Sequence, residues 1–346
     1  MGERQPKIIV VTGPTASGKS ALAVALGQRI GGAVVNADSV AVYQGFDIGS
    51  GKPDVLEQKG VPHYLLSHRS PDEPYDAGVF RDEAIPLIER LTSEGAVPIV
   101  CGGTGLYISA LLGGLVQTSR IGEDAEARMH QLEASVPTPE VSRMLHRWLA
   151  ERDPRTAAQL HPNDLHRLRR AVLVYLSSGC SLADLQAQHG YSDQTFQAMI
   201  FVLSPDRAWL YQKINERVRS MLDAGLVEET EALSERYGAG IASLGAIGYR
   251  HAAAFLRGNL DAETLETEMA RDTRRFAKRQ LTWWRNQPAK LGWRIGGAHR
   301  ISGTWNVESL EELAFRETRI FLNGAEPDRA TPVVHYLLSE SFDEGL

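Results

Sequence analysis

A chain of 346 residues, 43% hydrophobic and 23% charged, has enough apolar material for a full α/β core and a second domain. It shows no apolar run of membrane-spanning length, no signal-peptide pattern, and no disulfide or zinc spacing at Cys101 and Cys180, so a cytoplasmic protein without membrane segments is expected. The net charge of −6 hides an asymmetry: residues 271–290 hold seven Lys and Arg against one Asp, net +6, leaving −12 on the remainder, and a basic stripe on an acidic body is the local footprint of a polyanion partner.

The first predicted strand, Ile8-Ile9-Val10-Val11, runs into Gly13-Pro14-Thr15-Ala16-Ser17-Gly18-Lys19-Ser20, which fits G-x-x-x-x-G-K-[ST] at every fixed position. A helix follows, with Leu22, Ala25, Leu26 and Ile30 on one face and Gly31-Gly32 as its stop. Inward-pointing amides and the helix N-terminus make such a loop a di- or triphosphate site. Lys19 is expected to reach the outer phosphate and the Ser20 hydroxyl to ligate Mg2+. The bland alternative is a glycine-rich turn that binds nothing.

Ala33–Ala37 reads as a second buried strand ending at Asp38. Ligands of open parallel sheets gather beyond the carboxyl ends of the strands, which brings the Asp38 carboxylate near the phosphate loop. A general base is one reading of Asp38; a helix or turn cap, or an outer magnesium contact, is the other. Gly45–Pro53 is a cleft-lining loop, 63–66 a further strand, and 77–93 a helix bent at Pro86. Strand 96–101 then opens into Gly102-Gly103-Thr104-Gly105, a second strand–glycine loop–helix junction whose amides and Thr104 hydroxyl would face the same cleft.

From 118 to 195 the pattern turns helical, punctuated by Pro137, Pro139, Pro154 and Pro162, and reads as an insertion between two strands of the sheet. Within it, Arg167, Arg169 and Arg170 follow Asn163, the expected N-cap; they are either a solvated face or an RNA contact. Strand 196–203 resumes the core, a helix runs from Asp206 to a C-cap at Gly225, and a long helix begins near Asp261 and ends before Pro288. On that helix Arg271, Arg274, Arg275, Lys278 and Arg279 fall at i, i+3, i+4, i+7 and i+8, while Ala277, Gln280, Leu281 and Trp284 lie on the docking side. With nothing acidic expected to offset it, this face is read as a phosphate-backbone contact rather than a solvated surface. Residues 296–346 are expected to hold one helix near 308–321 and are assigned no role.

These motifs, with D-S at 38–39, V-Y-x-G-x-D-I-G-S-G-K-P at 42–53, G-G-T-G-L-Y-I at 102–108, H-P-N-D-L-H-R-L-R-R-A at 161–171, A-I-G-Y-R at 246–250 and T-R-R-F-A-K-R-Q-L-T-W-W-R at 273–285, resemble the tRNA dimethylallyltransferases of the bacterial type. The resemblance covers residues 7 to 293. It implies an α/β fold with a P-loop NTPase-like parallel core at 5–117 and 196–295 and an inserted all-helical domain at 118–195. It further implies transfer of a dimethylallyl group from dimethylallyl pyrophosphate to the exocyclic amine of adenosine 37 in the anticodon stem-loop of tRNA. Carried over, Asp38 is the general base, Thr104 sits beside the reacting centre, Gly13 to Ser20 hold the pyrophosphate, and Arg128, early in the insertion, is a catalytic residue near the reacting groups. Asp38, Ser39, Val40 and Ala41, with Arg167, Arg170 and the basic helix, would face the RNA, and a monomer is expected. Ala41 departs from a Gln common in the family, and Ser50-Gly51 from a common Thr-Ala. A P-loop kinase and a nucleotide-driven RNA-binding switch are the rival readings; the first leaves the basic helix unexplained, the second lacks a visible second magnesium-binding Asp.

Overall fold

In the computed structural model of the chain, the residues described are 5–116, 121–190, 193, 195–301, 305–323 and 332–339. In chain order they form β1 (Lys7–Thr12), α1 (Lys19–Ile30), β2 (Gly32–Asn36), α2 (Val55–Gln58), β3 (His63–Tyr64), α3 (Ala77–Ser93), β4 (Val97–Cys101) and α4 (Gly105–Gly113). A helical run follows: α5 (Glu123–Ala134), α6 (Val141–Arg152), α7 (Pro154–Ala157), α8 (Leu165–Ser178) and α9 (Leu182–His189). Then come β5 (Gln197–Ser204), α10 (Arg207–Asp223), α11 (Leu226–Tyr237), α12 (Tyr249–Leu256), α13 (Ala262–Lys290), β6 (Arg294–Ile301), α14 (Val307–Asn323) and β7 (Val333–Ser339). Gly114–Asp193 is one compact unit and the rest of the chain another.

The strands pair in parallel in the order β3-β2-β4-β1-β5-β7-β6. Continuous apolar runs suit this arrangement, because helices cover both faces of a parallel sheet. Ile8 to Val11 of β1 are fully buried, and every residue of β5 is buried. Register decides where the loops emerge. Val11 lies opposite Cys101 and Asn36 opposite Cys101, so β1, β2 and β4 end level and deliver their following loops to one edge. Hydrogen bonds then stitch those loops together: Thr12 Oγ1 donates to the Gly102 carbonyl at 2.8 Å, Ala37 N to Cys101 O at 2.8 Å, and Thr104 N to Ala37 O at 3.4 Å.

The described residues beyond 296 are part of this core. β6 and β7 extend the sheet past β5, and α14 packs Leu310 and Ala314 into the same cluster as Leu22, Leu26 and Phe201. The sequence conceals this because β7 enters between β5 and β6, and its pairing is fixed by partners far along the chain rather than by a local turn.

Three boundaries differ from expectation. The N-cap of α8 is Asp164, whose Oδ1 accepts from Arg167 N at 3.2 Å, rather than Asn163. Gly225 opens α11 in a left-handed conformation (φ 99°), and Ala224 caps α10. Helix α13 continues through Pro288 to Lys290. A proline removes the N–H that would bond the carbonyl four residues back; here that carbonyl, of Trp284, accepts the Tyr336 hydroxyl at 2.8 Å instead. A donor from β7 therefore lets the helix run on.

The helical unit has its own core, in which Met129, Leu145, Leu149, Leu168 and Val172 are at or near zero exposure. Asp153 organises a corner of it, its Oδ1 accepting from Thr156 N at 3.1 Å and from Ser181 Oγ at 2.8 Å.

Candidate active site

The level ends of β1, β2 and β4 surround a cleft lined by Thr15, Lys19, Ser20, Asp38, Lys52 and Arg217, among others. Its floor is the phosphate loop. Lys19 opens α1 and lies in it, Nζ 3.4 Å from the Pro14 carbonyl. Burial pulls its pKa below the ordinary lysine value, partly opposed by Cys101 and Asp38, while Arg217 pushes the same way as burial. A phosphate anion beside Lys19 would favour its charged form and oppose that shift. Ser17 Oγ is buried with no hydrogen-bond partner among the described residues. Burial raises the Cys101 thiol to about 11, so it stays protonated here.

Asp38 follows β2, half-buried, with its Oδ1 accepting from Val40 N at 2.9 Å and Ala41 N at 3.2 Å. The capping role is therefore real, but it uses one oxygen and fixes the other's direction. Thr104 Oγ1 accepts from Ser39 N at 3.3 Å, so the second glycine loop holds the turn that carries Asp38. The structure brings Gly13 to Ser20, Asp38 to Ala41 and Thr104 together at one edge of the sheet.

Two residues of this site have no signature in the sequence. Arg217, on α10, extends its Nη2 to the carbonyls of Ser50 (3.3 Å) and Gly51 (3.2 Å). Burial lowers its pKa, opposed by Asp38 and Glu57, and its guanidinium lines the same cleft as Thr15, Lys19 and Ser20. Gly51 (φ 57°) leaves the room it needs, since a Cβ there would overlap the guanidinium. Glu229, on α11, grips the cleft loop from behind, its carboxylate accepting from the amides of Asp47, Ile48 and Gly49 at 2.8–3.2 Å and from Tyr249 Oη at 2.6 Å. Burial and that carboxylate raise the Tyr249 pKa, which keeps the phenol a donor. Lys52, 7% exposed, closes the loop through Asp47 (2.6 Å) and the Tyr43 carbonyl (3.1 Å).

A family model described as IPP transferase matches residues 41–287. The chain is 42% identical over 284 residues to a tRNA dimethylallyltransferase of Geobacter sulfurreducens, covering 82% of this chain and 90% of that one. The chain belongs to the IPP transferase family. Among solved structures, a tRNA Δ2-isopentenylpyrophosphate transferase of Staphylococcus epidermidis superposes with a TM-score of 0.62 at 31% identity, covering 92% of this chain and 99% of that one. A eukaryotic dimethylallyltransferase acting on tRNA shares the fold, with a TM-score of 0.77 at 24% identity over 94% of this chain and 82% of that one. The α/β fold expected of a P-loop core is the one observed.

In this member of the IPP transferase family, the basic face of α13 is less uniform than its spacing suggests. Acidic side chains do offset part of it. Arg271 pairs with Glu268 (3.1 Å) and Asp272 (3.2 Å), and Arg275 lies 3.5 Å from Asp272. Burial alone would raise the Asp272 pKa, but hydrogen bonds from Arg250, Arg271 and His251 outweigh it and hold the carboxyl at about 2. Arg274 is half-buried and donates to Asn215 Oδ1 at 2.6 Å. Lys278 and Arg279 are exposed and make no ion pair among the described residues; Arg279 only rests against the Phe276 ring at 5.6 Å. They are the cations most available to a polyanion. In the helical unit, Arg128 stands exposed on α5, and Arg167 and Arg170 stand exposed on the first turns of α8, with Arg167 3.5 Å from Asp164.

Proposed function

We propose that this chain transfers a dimethylallyl group from dimethylallyl pyrophosphate to the exocyclic amine of adenosine 37 in the anticodon stem-loop of tRNA, releasing pyrophosphate. One observation carries this reading: a single cleft sets two partly buried cations, Lys19 and Arg217, at a phosphate loop and a backbone-fixed carboxylate, Asp38, at its wall. An allylic pyrophosphate leaves as its carbon acquires cationic character, so negative charge grows on the leaving oxygens. Loop amides, Lys19 and Arg217 stabilise it without reorganising, which is where preorganised electrostatics act most strongly. An adenine exocyclic amine is a weak nucleophile because its lone pair is delocalised into the ring. Asp38 accepts its proton through the oxygen that does not cap Val40 and Ala41.

Mg2+ fits the oxygen donors present. The Ser20 hydroxyl and Asp38 line the cleft, and Mg2+ is usually held by few protein oxygens together with substrate phosphates and waters. Ser20 would hold it, and when bound it would neutralise pyrophosphate charge.

The target base must leave its stack to reach the cleft, and single-stranded loops are where RNA bases are accessible. Asp38 to Ala41 line its entry, Thr104 steadies that turn beside the reacting centre, Arg128 acts at the reacting groups, and Arg167 and Arg170 contact the RNA. Lys278 and Arg279 hold the RNA backbone, with Arg271, Arg274 and Arg275 adding to the same field. No described helix is long and apolar enough to cross a membrane, and a cytoplasmic monomer is the form we propose. The test is mass spectrometry of tRNA incubated with the protein, Mg2+ and dimethylallyl pyrophosphate. One added dimethylallyl group, mapped to the base at position 37, is expected. Unmodified RNA alongside phosphate release from ATP would decide for a kinase or switch instead.

A further inference from the structure

Gln280 is one of the few polar side chains buried in the core, at 6% exposure, and it sits on α13. A buried amide is retained at a cost unless its donors and acceptor are satisfied. Its Oε1 accepts from Thr15 N at 2.9 Å, and its Nε2 donates to the Gly103 carbonyl at 3.0 Å. Only this orientation of the amide serves both partners. Thr15 belongs to the phosphate loop. Gly103 precedes Thr104, whose hydroxyl holds Ser39 beside Asp38. The contact is close enough that a Cβ on residue 103 would collide with the Gln280 amide. One side chain thus spans the two loops that carry opposite ends of the reaction, the leaving group and the proton acceptor. Thr15 N–H is taken by this bridge, so it is not among the amides offered to phosphate. Immediately before Gln280 in the same helix stand the exposed Lys278 and Arg279.

We infer that Gln280 is a positioning residue that sets the separation between the pyrophosphate loop and the Asp38 turn, tying both to the helix on which RNA docks; this rests on the transferase reading above. It touches neither substrate. Its effect falls on alignment of amine, allylic carbon and leaving oxygen, and misplacement of reacting groups by about 1 Å costs on the order of 10²-fold in rate. The effect should therefore appear in kcat rather than in the affinity for either substrate.

The experiment measures wild type, Gln280→Met and Gln280→Glu for tRNA prenylation with saturating donor and tRNA, with KM for each substrate. Calorimetric titration with pyrophosphate fixes the active fraction of each preparation. Gln280→Met removes both hydrogen bonds at similar volume. Gln280→Glu keeps the acceptor for Thr15 N–H but cuts the tie to Gly103, so it reports on the bridge even if the Met variant does not fold. Both should lose at least about tenfold in kcat per active site, with each KM within about threefold of wild type. A rise in donor KM at unchanged kcat would mean Gln280 only shapes the phosphate loop. A lowered melting temperature with unchanged kinetics would mean it is merely a core residue. Either result overturns the inference, whereas absence of prenylation by the wild type would instead overturn the reading of function.

Discussion

The cleft and the outer face of α13 both present positive charge, yet they are built on opposite principles. In the cleft, Lys19 and Arg217 are packed by neighbours, their pKa values pulled down by burial, and each is aimed by backbone carbonyls. On α13, Lys278 and Arg279 stand in solvent. Fixed, desolvated charge costs nothing to orient at the moment of reaction and is screened little by salt. Exposed charge is cheap to build, weak per contact, and sums over a flexible polyanion in a salt-dependent way. The first arrangement suits a transition state and the second suits a backbone, so changes in the two regions should separate cleanly into rate and affinity.

The largest effect is expected at the carboxylate. Asp38→Asn keeps the caps on Val40 and Ala41 while removing basicity, and turnover should fall by roughly 10²-fold or more. RNA affinity should stay within a few-fold. A variant that keeps most of its turnover would leave Asp38 with the cap alone. Next comes the leaving-group end. Lys19→Ala should lower kcat by about 10²-fold, the scale of one lost preorganised donor, and should raise donor KM as well. A change in KM alone would mean Lys19 holds the ground state only.

Much of this division is visible in the amino-acid sequence, because some chemistry demands fixed local spacing. The phosphate loop between strand and helix, the glycine loop after β4, and the i, i+3, i+4 array of cations are all local patterns. Gly31 and Asp261 mark helix boundaries by the same local rules. What escapes is set by distant parts of the chain. Arg217 looks like any arginine on an amphipathic helix until Gly51, 166 residues away, is seen to admit it. Glu229 grips Ile48 across 181 positions, and Trp305, from a stretch with no readable motif, donates to the Ser17 carbonyl at 3.1 Å across 288. Asp272 shows the converse failure. Its charge is plain in the sequence, but that it gathers Arg250, Arg271 and His251 depends on how α12 lies against α13.

On the RNA side the expected changes are smaller and of another kind. Lys278→Ala with Arg279→Ala should weaken tRNA binding and flatten the log–log salt dependence by about 1.4 units, at about 0.7 per contact on a single strand. Donor KM should not move. An unaltered slope would make this face a solvated surface. The smallest effect probes how the end of α13 is anchored to β7. Tyr336→Phe deletes the hydroxyl that satisfies Trp284's carbonyl above Pro288, and should cost about 1 kcal/mol by denaturant titration. A loss indistinguishable from zero would mean that water replaces the phenol and that the end of α13 does not depend on it.

The division of labour is tested most directly by single-turnover prenylation from a preformed enzyme–tRNA complex, begun by adding donor, at two salt concentrations. Asp38→Asn should slow the observed step about 100-fold at both salts. The Lys278/Arg279 double alanine variant should match the wild-type rate at both, once RNA is saturating. A slowed chemical step in the helix variant, or a wild-type step in the Asn variant, would contradict the assignment of rate to the cleft and affinity to the helix.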